Sequence, residues 1–254
     1  MKKLFFISNG YGEDTISANI ILYLKNNYKN ISFYALPIVG TGAPYHDMRI
    51  ETIGDNVNLP SAGMIPSDYV AHLQNDIKSG LITQTIKQGR LIRNISKISD
   101  GIVIVGDSYP VLLSAIFSKK KHFYFVGTAK SNYHVPYSKL EKILMKKFCK
   151  AVFPRDEITS EDLRSSGINS FPFGNTMLDC LNITGNDFGC PKDNIFIGIL
   201  PGSRQKTYDD FSVILKTVEK ISYDLKNVFF VSAIATTVDL DKLIKIAVDE
   251  MWFD

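Results

Sequence analysis

Short uninterrupted apolar runs alternate along this chain with segments whose apolar residues recur at helical spacing. Leu4-Phe5-Phe6-Ile7 is closed by Ser8-Asn9-Gly10. An apolar run of that length without polar alternation reads as a strand buried on both faces, as in a parallel sheet. Residues 14–26 then place Ile16, Ile20, Ile21 and Leu24 on one helical face, with Glu13 and Asp14 where the helix dipole favours acids. The same reading repeats downstream. Strands are expected at residues 31–36, 101–105, 122–126 and 151–153, and helices at 111–117 and 159–166, the last stopped by Gly167. A further strand is expected at 195–200, a helix at 209–225, a strand at 228–231 and a helix at 240–248. This repetition predicts an α/β fold built on a Rossmann-like, doubly wound parallel sheet.

The alternation is interrupted twice. Residues 40–99 hold no strand of the same clarity. Their first part carries Gly40, Gly42, Pro44, Pro60, Gly63 and Pro66, and residues 73–98 show helical spacing with a basic face. Long irregular segments in compact domains are usually functional or mobile. Residues 182–194 turn to Gly, Asn, Asp and Pro and read as a linker. The expected organisation is one domain over residues 1–181, a linker over 182–194, and the start of a second Rossmann-like domain over 195–254. A nucleotide-binding half of that kind takes about a hundred residues or more, so the second unit reads as partial.

Composition narrows the class. With 254 residues, 45% of them apolar and 22% charged, the chain suits a soluble globular protein with a real core. A net charge of +3 does not call for nucleic acid. Cys149, Cys180 and Cys190 form no CxxC pair or disulfide framework, which fits a reducing cytoplasm, and the four histidines have no zinc spacing. No metal or cofactor is expected. The apolar start is too short for a secretory signal, and no run approaches the roughly 18 residues of a membrane span. Lys119-Lys-Lys-His-Phe-Tyr and residues 139–150 mix cations with bulky apolar side chains. Both a solvated helix with a core stripe and loose peripheral attachment to an anionic membrane fit that mixture.

Candidate chemistry lies where strands end, because ligands of α/β sheets bind at the carboxyl edge. Gly10-x-Gly12-x-x-Thr15 lacks the third glycine of a dinucleotide fingerprint, and Glu13 and Asp14 would repel a pyrophosphate. Leu36-Pro37 stands where an acid would hold a ribose, so NAD and FAD are argued against. Gly10 and Gly12 fit a turn that admits an uncharged or hydroxyl-rich ligand, or simply a tight, acid-capped turn. Gly202-Ser203-Arg204, with Lys206 nearby, has the opposite sign and suits a diphosphate, or is a plain turn with a solvated arginine. Asp107 can take a proton from an attacking hydroxyl, or cap the helix that Pro110 enters. Thr128 and Lys130 follow the next strand, where Lys130 meets an anionic group or solvates the rim. Arg155 and Asp156 follow the one after, where they can pair with each other.

Taken in order, several stretches resemble the lipid-A-disaccharide synthase-related proteins of the glycosyltransferase-B (GT-B) superfamily. They are Ser8-Asn-Gly-Tyr-Gly-Glu-Asp14, Ala35-Leu-Pro-Ile-Val-Gly40, Leu59-Pro-Ser-Ala-Gly63, Val105-Gly-Asp107, Phe125-Val-Gly-Thr-Ala-Lys-Ser131, Phe153-Pro-Arg-Asp156, Phe173-Gly-Asn175 and Leu200-Pro-Gly-Ser-Arg204. The resemblance implies two Rossmann-like domains, an acceptor side in the N-terminal one and a UDP-sugar donor held by its diphosphate in the C-terminal one. It implies metal-free, inverting sugar transfer to a lipid or glycolipid acceptor. Gly10, Gly12, Glu13, Thr128 and Lys130 would serve the acceptor, Asp107 would be the base, and Gly202, Ser203 and Arg204 would touch the donor. The chain departs from the family at Pro110 and Thr207, where acids are usual, and at Gly174-Asn-Thr-Met177 in place of Gly-His-Pro-Leu. Two other readings stay open: a UDP-sugar epimerase or hydrolase of the same architecture, and a non-catalytic fragment that binds lipid or acceptor.

Overall fold

The computed structural model describes residues 1–54, 81–120, 122–202, 205–235, 238–250 and 252. They form two compact units, Met1–Asn182 and Ile183–Asp254. The Leu59–Gly63 stretch, Pro66, residues 73–80 of the expected basic helix, Lys121, Ser203 and Arg204 lie outside the described residues.

Unit 1 carries β1 (Lys2–Ser8), α1 (Tyr11–Asn27), β2 (Ile31–Pro37), α2 (Ala43–Asp47), β3 (Glu51–Thr52), α3 (Leu81–Ile98), β4 (Gly101–Gly106), α4 (Ser108–Phe117), β5 (Phe123–Gly127), α5 (Lys139–Phe148), β6 (Cys149–Pro154) and α6 (Glu157–Ser165). A 3-10 turn, Leu178–Cys180, follows. The six strands are parallel in the order β3-β2-β1-β4-β5-β6. This is the doubly wound arrangement with β1 at its centre. The short β3, with its two residues, completes an edge that periodicity alone did not mark.

Alternation along the strands builds a core on each face of the sheet. Phe5, Ile7, Ile102, Ile104, Phe123 and Phe125 pack with Ile92 and Ile95 of α3, Val111 of α4, Met145 of α5 and Leu163 of α6. On the other face Phe6, Phe33, Ala35, Val105 and Val126 pack with Ile16, Ala18 and Ile21 of α1 and with Tyr45 of α2. The chain thus leaves β1 over one face and β4 over the other. α1 starts at Tyr11, earlier than its apolar spacing indicates, because Gly10 (φ 149°) turns the backbone straight into the helix.

Unit 2 contains β7 (Ile195–Ile199) parallel to β8 (Val228–Ser232), with α7 (Lys206–Asp224) and α8 (Leu240–Asp249). Phe211 and Leu215 of α7 and Leu243 and Ala247 of α8 form a small core with Val238. No residue of β7 or β8 is fully buried, and Ile195 and Phe196 remain close to half exposed. Strands of parallel sheets are ordinarily covered on both faces.

One buried polar chain ties β1 to α1 and α2. Ser8 Oγ donates to Asp14 Oδ1 at 2.5 Å. Since its one proton is committed there, the Tyr45 hydroxyl, 2.6 Å away, donates to Ser8. All three side chains are fully buried, and Asp14 Oδ2 has no partner. Burial, opposed by the Ser8 hydrogen bond and aided by the neighbouring Glu13 charge, raises the Asp14 carboxyl to about 7. The unfolded chain releases this proton near 3.8, so the folded state holds it more tightly. Its contribution to stability is complete below pH 4 and is lost as the pH rises through 7. Asp14→Asn should flatten the stability profile over that window, where the parent loses on the order of 4 kcal/mol. Urea unfolding at pH 4 and pH 8 measures it, and an unchanged slope in the variant would contradict the assignment.

Candidate functional site

The carboxyl ends of β1, β4 and β5 lie side by side, with Ser8 opposite Val105 and Gly106 opposite Gly127. The helices after β1 and β4 depart over opposite faces, so this edge is the switch point where α/β sheets bind ligands. The sequence candidates Gly10, Gly12, Glu13, Asp107, Thr128 and Lys130 all belong to the turns and first helical residues that follow these strands.

The two glycines make room for the protein's own side chains. A Cβ at Gly10 would meet Glu13 Oε2 at 2.6 Å, and one at Gly12 would meet Met177 Cε at 3.2 Å. Gly10 therefore lets Glu13 fold back toward the strand ends. The space beside Gly12 is filled by the segment that returns to α1, where Met177 and Cys180 pack. Gly106, at φ 139°, lies equally close to Asn9 and Glu13. Any larger residue there would be strained and would push into both.

Glu13, Asp107 and Thr128 come together at this edge. Thr128 Oγ1 donates to Glu13 Oε1 at 3.1 Å, and its backbone N–H donates to the Gly106 carbonyl at 3.0 Å. Asp107 caps α4 by accepting the Tyr109 N–H at 2.8 Å. The cap and site readings of Asp107 are compatible, because the cap occupies one carboxylate oxygen. Burial, helped by the charges of Glu13 and Glu141 and opposed by hydrogen bonds from Tyr109 and Asn9, raises its carboxyl to about 6. Near neutrality the group is mostly ionised and still basic enough to accept a proton.

A second cluster adjoins it. Lys130 is tied to Glu141 of α5, with Nζ 2.8 Å from Oε2, and lies over the Tyr137 ring at 5.9 Å. Glu141 Oε1 accepts the Ser108 hydroxyl at 2.5 Å. Burial opposes the ionisation of Glu141, but hydrogen bonds from Lys130, Ser108 and Ser138 outweigh it and hold the carboxyl down at about 2. Glu141 was missed from the sequence. Its one visible signal was Ser138-x-x-Glu141, a capping box that the structure does form at the start of α5. That pattern announces a local role and says nothing of contacts with Ser108 and Lys130. Asp156 likewise caps its own helix, accepting the Thr159 N–H at 2.8 Å, while Arg155 reaches the Thr128 carbonyl at 3.4 Å.

In unit 2, Gly202 adopts φ 109° between β7 and α7, and a Cβ there would meet Thr207 Oγ1 at 3.1 Å. Among the described residues, Gln205 at the N-cap makes no side-chain hydrogen bond to the start of α7. Among the described residues no cluster of His, Cys, Asp or Glu could hold a metal, and no helix is long and apolar enough to cross a membrane.

No protein-family model matches the chain, and none of the curated proteins matches it. Solved structures do. The Staphylococcus aureus MnaA–UDP structure superposes with a TM-score of 0.63 at 13% identity, covering 99% of this chain and 66% of that one. UDP-GlcNAc 2-epimerase from Neisseria meningitidis, bound to UDP-GlcNAc, gives 0.59 at 16% identity over 98% and 69%. The spinosyn rhamnosyltransferase SpnG with thymidine diphosphate gives 0.53 at 10% identity over 92% and 65%. The chain spans about two thirds of the length of the structures it matches. At these identities the likeness is one of fold, a Rossmann-like α/β architecture.

The site makes a direct prediction. Carbon-13 NMR titration of the carboxyl groups should place Asp107 near pH 6, and Glu13→Gln should lower that midpoint by removing a neighbouring charge. A midpoint in the ordinary carboxylate range in the parent would refute this picture of the edge.

Proposed function

We propose that the chain serves a UDP-sugar-converting enzyme of GT-B architecture whose chemistry is of the epimerase or hydrolase kind, acting on the nucleotide sugar itself. The observation that carries this reading is Asp107, half-buried at the switch point with its proton affinity raised toward neutrality beside Glu13. Groups with such perturbed affinities cluster where proton transfer is needed. Fold likeness to structures that hold UDP and UDP-GlcNAc supports the substrate class.

Asp107 is proposed as the base: in hydrolysis it takes the proton of the water that attacks the anomeric carbon as the bond to the diphosphate breaks and UDP leaves, and in epimerisation it takes the proton of the sugar carbon that inverts, which is then reprotonated on the opposite face. Asn9 and the Tyr109 N–H orient it, and Thr128 holds Glu13 next to it. Lys130, neutralised by Glu141, is assigned to hydroxyl or carboxylate groups of the substrate. Gly202, Ser203 and Arg204 are assigned to the diphosphate, with the start of α7 supplying N–H groups in place of a metal. A second reading, transfer of the sugar to a lipid or glycolipid acceptor as in lipid-A-disaccharide synthases, is favoured by one observation: the cationic, apolar outer surface of α4 and α5.

Proton NMR of UDP-N-acetylglucosamine incubated with the protein separates the two. Conversion or release of the sugar without acceptor supports the first reading; turnover only when a lipid acceptor is added replaces it with the second. Asp107→Asn should abolish turnover while leaving calorimetric UDP affinity unchanged, because asparagine caps a helix as well as aspartate does. In the parent, kcat/KM should rise with pH through about 6 as Asp107 ionises. Full activity in the variant would remove Asp107 from the chemistry.

A further inference from the structure

Three of the helices packed on one face of unit 1, α3, α4 and α5, are almost free of acidic residues. α3 and α4 contain no acidic residue, and α5 contains only Glu141, which is turned to Ser108 and Lys130. Arg90, Arg93 and Lys97 of α3 are exposed, as are Lys119 just after α4 and Lys139, Lys146 and Lys147 of α5. The nearest acids are accounted for on either side. Asp100, beyond α3, accepts the Lys3 N–H, and on α6 Asp162 pairs with Lys142 and Glu157 with Arg164, leaving Glu161 exposed at that margin.

Aliphatic side chains stand exposed within this cationic field. Leu112 and Ile116 of α4 are 47% and 63% exposed, and Leu140 and Ile143 of α5 are 79% and 61% exposed. Ser108 at the start of α4 touches Glu141 at the start of α5, so the helices begin level with one another. The core-facing stripe of α5 is separate, running through Met145. None of the four belongs to either core of unit 1, and each keeps close to half or more of its surface exposed.

We propose that the outer surface of α3, α4 and α5 docks on an anionic lipid bilayer, its lysines and arginines meeting the headgroups and Leu112, Ile116, Leu140 and Ile143 entering the interface. A basic helical surface with bulky aliphatic side chains is what such attachment requires, since charge draws the surface in and apolar burial holds it. A nucleic acid or other polyanion would use the cations and leave the aliphatic residues in water. The proposal holds whether the enzyme acts on the nucleotide sugar alone or on a lipid acceptor.

Vesicle sedimentation of the full chain tests it. Binding is expected to vesicles containing about one third phosphatidylglycerol, to be lost at high salt, and to be weak on pure phosphatidylcholine. The pair Leu140→Ser and Ile143→Ser should weaken binding about tenfold, and the pair Leu112→Ser and Ile116→Ser should do likewise, since each removes apolar area from the interface. Lys139→Glu with Lys147→Glu should erase the preference for anionic lipid. All of these side chains are exposed, so thermal unfolding of the variants should overlay that of the parent. Equal binding to both vesicle types would overturn the proposal. So would parental binding by both serine pairs, because the surface would then be a polyanion site without apolar insertion.

Discussion

The arrangement of unit 1 depends on the parallel pairing of β1 with two neighbours at once. Lys2–Ser8 runs in register with β2 on one side and β4 on the other. A strand held this way has no free edge, and both of its faces must be covered. Phe5 and Ile7 therefore enter one core and Phe6 the other. The covering helices are reached in opposite directions from β1 and β4, and the strand ends between those departures are covered by neither set. The polar groups beside that gap come from its borders: Asn9 from the turn after β1, Glu13 from the first turn of α1, Asp107 from the turn after β4, and Thr128 from just beyond β5.

Much of this organisation was legible in the sequence because buried parallel strands are short, wholly apolar and ended by Gly, Asn or Asp. Leu4–Ile7 and Ile102–Val105 could hardly be read otherwise. Asp107 was legible both as a cap and as a candidate base, and its two oxygens allow it to be both. What escaped was anything set by contacts across long stretches of chain. Glu141 meets Ser108 across 33 positions, and no local pattern encodes that. Ser8, Asp14 and Tyr45 look like ordinary polar residues in sequence, yet the fold seals all three inside. Gly10 and Gly12 showed that something must come close to the backbone, but not that Glu13 and Met177 are what comes. Of the glycine turn assigned to the donor, only Gly202 lies among the described residues.

The charges of unit 1 are sorted by location. Glu13, Asp107 and Glu141 gather at the sheet's carboxyl edge, where Lys130 pairs with Glu141, while the exposed charges of α3 and α5 are cations. This separation lets one carboxyl remain near 6 and another near 2 within a single edge. Asp107 has neighbours of its own sign and little water, whereas Glu141 has a lysine and two serines. A shared edge with divergent proton affinities allows one acid to change state while its neighbour stays fixed.

The two sheets differ in how they are sealed, and that difference sets the timescales on which they open. In unit 1 the backbone amides of β1 and β4 sit between two packed cores, so they meet solvent only when the whole unit unfolds. In unit 2 the amides of β7 and β8 lie beneath strands with no fully buried residue, beside a core of five buried side chains. Their deuterium uptake is governed by small, frequent local openings. Within this chain, deuterium exchange at β7 and β8 therefore reports on local opening, and exchange at β1 and β4 on the unfolding of unit 1.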